Sequence, residues 1–284
     1  MITHVGVVGA GTMGIGVSQA FAAGGLTVTL VDIDSGALAR ARDQIALDAR
    51  MAGMFQRDRA TSPEEVVGRV TTTTELADLA GAGFVVENVT EKPGIKEDVY
   101  RRLDGFCGLS CVFGVNTSAI PITRVAGWTA RPDRVIGTHF MNPAQLKPLV
   151  EVIRGFHTSA ETVKTTQELI TSLGKESVVV ADSPGFVTNR VLMLTVNEAI
   201  CLLDEGVATA AEIDRLFVRC FGHRMGPLAT ADLIGLDTVL YSLDVLLENF
   251  NEPKYRPSVL LRQYVDAGLL GRKSGRGFFT YETE

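Results

Sequence analysis

Short β-branched runs alternate with helical patterns through the first half of the 284-residue chain, which predicts parallel strands joined by crossover helices. The strands read as 5–8, 27–31, 84–87, 112–115, 135–140, 150–153 and 178–181. Among them, Ser62-Pro63-Glu64-Glu65 marks a helix start, with serine as cap, proline in the first turn and Glu65 closing a capping box. A second helix is predicted over 92–103. After Ala181 the pattern changes: Asp182-Ser183-Pro184-Gly185 is a turn and cap signal, and the chain beyond it is helical, with candidates at 186–204, 210–220, 236–250 and 257–267. An α/β domain over 1–182 followed by an all-helical domain over 183–284 is expected. So many apolar stripes in a small helical half call for a partner surface, hence a homodimer through it.

Composition narrows the class. With 46% apolar and 21% charged residues the chain can bury a sizeable core. A net charge of -6 argues against nucleic acid or an anionic membrane as partner. The sequence enters an apolar run at once, without the basic region of a signal peptide, and has no apolar stretch of membrane-spanning length, so a cytoplasmic protein is expected. Cys107, Cys111, Cys201 and Cys220 form no CxxC pair and are expected to be inert thiols, with no metal site.

The first chemical signal is Gly9-Ala10-Gly11-Thr12-Met13-Gly14, between the first strand and a helix. Gly9 permits the tight turn, Gly11 lets backbone approach a pyrophosphate, and Gly14 lets helix pack close on strand. The helix N-terminus then offers free N–H groups and partial positive charge to the phosphates. Such a motif alone is weak evidence, but Asp32 ends the second strand at the distance that the dinucleotide fingerprint requires. The first domain is therefore expected to be of Rossmann type. Asp32 should bind the adenosine ribose hydroxyls and repel a 2′-phosphate, which favours NAD over NADP; Arg40 and Arg42 read as solvated helix residues that leave this preference standing.

The second signal is His139, near a strand end in Gly137-Thr138-His139-Phe140-Met141-Asn142-Pro143. If this strand and Leu149-Val150-Glu151-Val152-Ile153 form a hairpin centred on Gln145, His139 and Glu151 face each other, each six residues from the centre. A glutamate in an otherwise apolar strand is costly without a partner, and an imidazole across the hairpin supplies one. The carboxylate would hold one ring nitrogen protonated, leaving the other to take a hydroxyl proton as hydride departs from the same carbon.

With these residues in place the chain resembles the 3-hydroxyacyl-CoA dehydrogenase family, especially its short bacterial 3-hydroxybutyryl-CoA members. The motifs VGVVGAGTMGIG, NTS, RPDRVIGTHFMNP, LVEVIRG, DSPGFVTNR, HRMGPLATADLIGLD, KYRP and GLLGRKSGRGF carry the resemblance over essentially the whole chain. It implies an NAD-binding domain, a helical dimerisation domain, and an acyl thioester as substrate. It further implies that His139 is the base, Glu151 its orienting carboxylate, and Ser118 the hydrogen-bond partner of the substrate 3-oxygen. Asn189 would orient substrate and histidine. Ser118 would also lie beside the nicotinamide, and Glu91, Lys96, Asn116, Asn142 and Lys273 would contact the cofactor. Without the resemblance, Glu91 and Lys96 read as a helix-end charge and a surface lysine.

Departures from the family bear on the thioester carrier. Val115-Asn116-Thr117-Ser118-Ala119 lacks the serines that usually flank the NTS core, and HFMNP replaces HFFNP. No lysine precedes Lys92, whereas family members often carry lysines in the helix pair after the second strand, where the CoA adenosine phosphate docks. Arg40, Arg42, Arg50, Arg57 and Arg59 are candidate substitutes, diluted by Asp43, Asp48 and Asp58. These departures resemble a branch, associated with polyketide extender units, that oxidises a glyceryl group on an acyl carrier protein. Three alternatives to the CoA enzyme therefore stand: the same chemistry on a carrier-protein substrate, a non-catalytic NAD-binding protein, and a β-hydroxyacid dehydrogenase with a lysine base, whose lysine motif is matched less well than His139 is.

Overall fold

The computed structural model describes residues 2–55 and 61–282, and the backbone alone for 52–55. Arg57, Asp58 and Arg59 lie outside the described residues. The chain divides into two compact units, Met1–Ser183 and Pro184–Glu284.

The first unit carries strands β1 (His4–Val8), β2 (Thr27–Val31), β3 (Val70–Thr73), β4 (Phe84–Glu87), β5 (Val112–Val115), β6 (Val135–Phe140), β7 (Leu149–Arg154) and β8 (Glu176–Ala181). They form one sheet in the order β3-β2-β1-β4-β5-β6-β7-β8. The strands from β3 to β6 in that order run parallel, β7 pairs antiparallel with β6, and β8 runs parallel to β7. Helices α1 (Thr12–Ala23), α2 (Ser35–Phe55), α3 (Pro63–Gly68), α4 (Pro93–Phe106), α5 (Ile122–Ala126) and α6 (Ala160–Ser172) connect them. The core, with Val5, Val7, Val28, Leu30, Val86 and Ile136 at its centre, comes from strands apolar on both faces, as expected of a sheet covered on both sides.

Seven strands fall within two residues of the sequence expectation. The eighth, β3, is not among the expected strands, because Val70-Thr71-Thr72-Thr73 buries only its valine. As the edge of the sheet it needs β-branched residues but no apolar run. The capping box of α3 forms as predicted: the Ser62 side chain accepts from the Glu65 N–H, and the Glu65 carboxylate accepts from the Ser62 N–H. Asp182, expected as a signal opening the helical half, instead caps α5 within its own unit. Its carboxylate accepts from the Ile122 N–H (3.1 Å), the Thr123 N–H (2.8 Å) and the Thr123 hydroxyl (2.6 Å).

The second unit holds α7 (Thr188–Asp204), α8 (Ala210–Phe221), α9 (Pro227–Ile234), α10 (Leu236–Phe250) and α11 (Val259–Asp266) around a core that includes Met193, Val196, Ile200, Leu228, Leu243 and Leu261. The first helix begins two residues later than expected, because Gly185 and Phe186 take positive φ values of 73° and 50° that a helix cannot contain. Helix α9 is an addition to the expected set, since its short segment reads as Gly-Pro punctuation. It is held from a distance: the buried Asp214 carboxylate accepts from the N–H groups of Leu228 and Ala229, each at 2.8 Å.

Candidate active site

The dinucleotide loop is built as its glycines require. Gly9 has φ +96°, and a Cβ there would stand 2.8 Å from the Asn88 carbonyl oxygen. A Cβ on Gly14 would lie 1.7 Å from the Gly9 carbonyl oxygen, so the third glycine lets the helix close on the loop itself. Around Gly11 a Cβ would meet nothing within 4 Å, which leaves open space on the side where a pyrophosphate would approach. The first turn of α1, with Thr12 and Met13, has neither a side-chain cap nor an acidic residue, so its N–H donors suit an anion. Asp32 is fixed by the same loop: one carboxylate oxygen accepts from the Ala10 N–H (2.7 Å), the other from the Asp34 N–H (3.0 Å). A carboxylate has about four acceptor sites, so capacity for two ribose hydroxyls remains. These residues fit an NAD without a 2′-phosphate.

The β6–β7 hairpin has the register that centring on Gln145 predicts, with His139 opposite Glu151 and Phe140 opposite Val150. The His139 Nδ1 lies 2.9 Å from Glu151 Oε2, and the Ser118 hydroxyl lies 3.1 Å from His139 Nε2. His139 is 7% exposed and Glu151 2%. An ionised carboxylate can only accept, so Nδ1 carries the proton and donates, leaving Nε2 as the acceptor that faces Ser118. Burial fixes this tautomer as firmly as distance does, because a carboxylate removed from water is costly without a donor.

Asn116 ties this dyad to the dinucleotide loop. Its amide donates to Asn88 Oδ1 (2.6 Å), its side-chain oxygen accepts from the Phe140 N–H (3.1 Å), and the Asn88 carbonyl is the atom that crowds Gly9. The C-terminal ends of β1, β4, β5 and β6 are thus bridged one to the next. Glu91, about a third exposed, accepts from the Thr117 hydroxyl and the Ser118 N–H.

Lys96 is not the surface lysine that it reads as without the resemblance, and its side chain, fully buried, offers a cofactor no exposed atom. Its ammonium donates to both oxygens of Glu87 at 2.9 Å, with Glu91 Oε2 at 3.3 Å and the Asn116 carbonyl at 3.4 Å. Burial works against its charge, but Glu87 and Glu91 outweigh it and leave its pKa raised. Glu87, which is not among the expected site residues, is itself fully buried at the end of β4 and accepts from the Val89 N–H at 2.6 Å. The signal for it is present in the sequence: a glutamate in an otherwise apolar strand, as at Glu151.

Other expected site residues are less closely placed. Asn142 is in the bend after β6 and is exposed. Asn189 and Lys273 belong to the second unit: Asn189 is buried in the first turn of α7, and the Lys273 ammonium is paired with Asp237 at 2.5 Å. Arg42 and Arg50 line a cavity of about 560 Å³ together with Glu64, Thr71 and Thr72, while Arg40 pairs with Asp34 at 3.3 Å. The four cysteines are free, and Cys107 and Cys111 are buried as small apolar side chains.

Comparison with known proteins gives one consistent result. The model of the 3-hydroxyacyl-CoA dehydrogenase NAD binding domain matches residues 4–183, and that of the C-terminal domain of the same enzymes matches 185–281. A probable 3-hydroxybutyryl-CoA dehydrogenase of Bacillus subtilis is 43% identical, over 99% of this chain and 98% of its own. A 3-hydroxybutyryl-CoA dehydrogenase of Bradyrhizobium diazoefficiens is 39% identical over 99% and 96%. The crystal structure of the (S)-3-hydroxybutyryl-CoA dehydrogenase of Ralstonia eutropha superimposes with a TM-score of 0.93 at 42% identity, covering 100% of both chains. Matched in both halves and along its whole length, the chain belongs to the 3-hydroxyacyl-CoA dehydrogenase family.

Proposed function

We propose that this protein oxidises the 3-hydroxyl of a short 3-hydroxyacyl-CoA to a carbonyl with NAD, using His139 as base. The observation that carries the reading is the continuous Ser118–His139–Glu151 alignment, with Nδ1 committed to a buried carboxylate and Nε2 left to accept a proton. NAD, when bound, supplies the hydride acceptor. The chain's own residues do the rest. His139 Nε2 takes the hydroxyl proton, Glu151 stabilises the imidazolium that results, and the Ser118 hydroxyl turns its hydrogen bond to the substrate 3-oxygen. Residues 9–14 and Asp32 hold the pyrophosphate and ribose, with Asn116, Glu91 and Asn142 towards the nicotinamide half. Lys96 acts beneath them, and Asn189 and Lys273 act from the second domain.

CoA as carrier is supported by the relatives' names and by Arg42 and Arg50, whose cavity suits a phosphate. Nothing comparable favours a carrier-protein substrate. A homodimer through the second domain is supported by the exposed Val187, Val191, Leu216 and Phe221 and by an apolar cavity of about 430 Å³ that Val187 and Val191 help to line. Among the described residues no helix is long and apolar enough to cross a membrane, and the free thiols suit a reducing compartment such as the cytoplasm.

Purified protein given acetoacetyl-CoA and NADH should consume NADH, and should do so far more slowly with NADPH. Silence with acetoacetyl-CoA beside turnover of a glyceryl-loaded carrier protein would overturn the CoA assignment.

A further inference from the structure

A fully buried lysine and glutamate beneath the site need a reason. Taking both charges out of water is costly, and a buried ion pair is a poor device for stability alone. The geometry points to positioning. The Lys96 ammonium has three protons, and Glu87 takes it up with both oxygens at 2.9 Å. What donor capacity remains is shared, at longer range, between Glu91 Oε2 (3.3 Å) and the Asn116 carbonyl (3.4 Å). Glu91 is therefore held by one oxygen only. Its other oxygen is left to accept from the Thr117 hydroxyl and the Ser118 N–H. The Thr117 oxygen accepts in turn from the N–H groups of Ala119 (3.3 Å) and Ile120 (3.0 Å). The whole turn that presents Ser118 to His139 thus hangs from Glu91 and from the Asn116 carbonyl, and both are gripped by Lys96.

We infer that Glu87 is a positioning residue: by occupying most of the Lys96 ammonium it leaves Glu91 free to fix the turn that aims the Ser118 hydroxyl at His139 Nε2. The inference rests on the proposed function for the role of Ser118 and His139. Without Glu87 the ammonium turns to Glu91 with its full donor capacity and draws that carboxylate off Thr117 and Ser118. Tyr100 stands over the same pair: burial, reinforced by the Glu87 carboxylate, raises its hydroxyl well above the usual tyrosine value, so it stays neutral there.

The chain has four histidines, so ¹⁵N-histidine labelling gives a spectrum in which His139→Ala identifies the His139 signals. The Nε2 resonance of His139 is to be measured in the wild type, Glu87→Gln, Ser118→Ala and the double variant. Glu87→Gln is expected to move it in the same direction as Ser118→Ala, and to add almost nothing in the Ser118→Ala background. In turnover, Glu87→Gln should lower kcat on the order of 10- to 100-fold, the cost of a slightly misaimed group. In the Ser118→Ala background the further loss should be less than about twofold, because the two residues act in one line.

A lower melting temperature with an unmoved His139 resonance, or an equal loss of kcat in both backgrounds, overturns the inference. Should Glu87→Gln fail to fold, Glu87→Asp keeps the charge but draws it back from Lys96 and should move the same resonance in the same direction; an unmoved resonance there overturns the inference. That resonance needs no substrate. A wild type inert towards acetoacetyl-CoA would therefore sink the proposed function while the positioning role is still judged on His139.

Discussion

Replacing Glu151 by glutamine tests the His139 dyad with little disturbance of shape. The carboxylate oxygen lies 2.9 Å from Nδ1 in a pair that is nearly inaccessible to water. When His139 takes a proton, the positive ring and the negative carboxylate face each other with about 4 Å between charge centres. At an effective dielectric constant of roughly 20, that attraction is worth about 4 kcal/mol. Glutamine keeps an oxygen that can accept from Nδ1–H, so the tautomer and part of the interaction survive. The net loss from the transition state is then about 2–3 kcal/mol, which at 1.36 kcal/mol per decade is a fall in kcat of roughly 30- to 160-fold. Glu151→Ala should cost more, because it also leaves a buried N–H donor without this acceptor, a penalty of about 1–3 kcal/mol.

The assay is steady-state oxidation of (S)-3-hydroxybutyryl-CoA, with NADH binding and melting temperature measured on the same samples. Glu151 sits inside β7, whose backbone is paired on both sides, so the ladder does not depend on the side chain. NADH affinity should be unchanged and the variant should remain folded. A Glu151→Gln enzyme with kcat within about threefold of wild type would refute the reasoning, since the carboxylate charge would then play no part in stabilising the imidazolium.

Features encoded at short range along the chain are the ones legible in the sequence. The His139–Glu151 pairing needs only a short connection, residues 141–148, and a period of two, and the register across β6 and β7 is set by those. The glycine loop and Asp32 are similarly local. The misses share the opposite cause. Asp182 reads as a turn residue and Asp214 lies inside an expected helix, yet each caps another helix, at Ile122–Thr123 and at Leu228–Ala229. Strand β3 is visible only as a neighbour of β2. Lys96 is the most instructive case. Lys96, Tyr100 and Leu103 recur at the spacing of one helical face, and all three are buried. That stripe is present in the sequence, but a lysine at its head reads as solvated unless the glutamate closing β4 is recognised as its partner. Ser118, by contrast, carries no physical signal of its own; only the resemblance of NTS to a family motif singles it out.

Three further outcomes are expected from the geometry. Gly14→Ala forces a Cβ against the Gly9 carbonyl, so the loop must open, and NADH affinity should fall by at least about tenfold, the loss of one charge-assisted hydrogen bond; unchanged affinity in a fluorescence titration would contradict this. Asp182→Ala removes the acceptor of three hydrogen bonds at the start of α5 and should cost about 1–2 kcal/mol in urea denaturation, as loss of a helix cap does, so a change under about 0.5 kcal/mol would dismiss the cap. The last concerns alkaline stability. Burial, and then the hydrogen bond from its hydroxyl to Asp232 at 3.0 Å, push Tyr281 up to about 12, against roughly 10 for an exposed tyrosine. The folded state therefore binds this proton more tightly than the unfolded state, so the contribution is complete below about pH 10 and is lost as pH rises through the interval to about 12. The stability difference between wild type and Tyr281→Phe should accordingly be constant below that interval and shrink across it; a difference that stayed level or widened would mean that the hydroxyl is not held by Asp232.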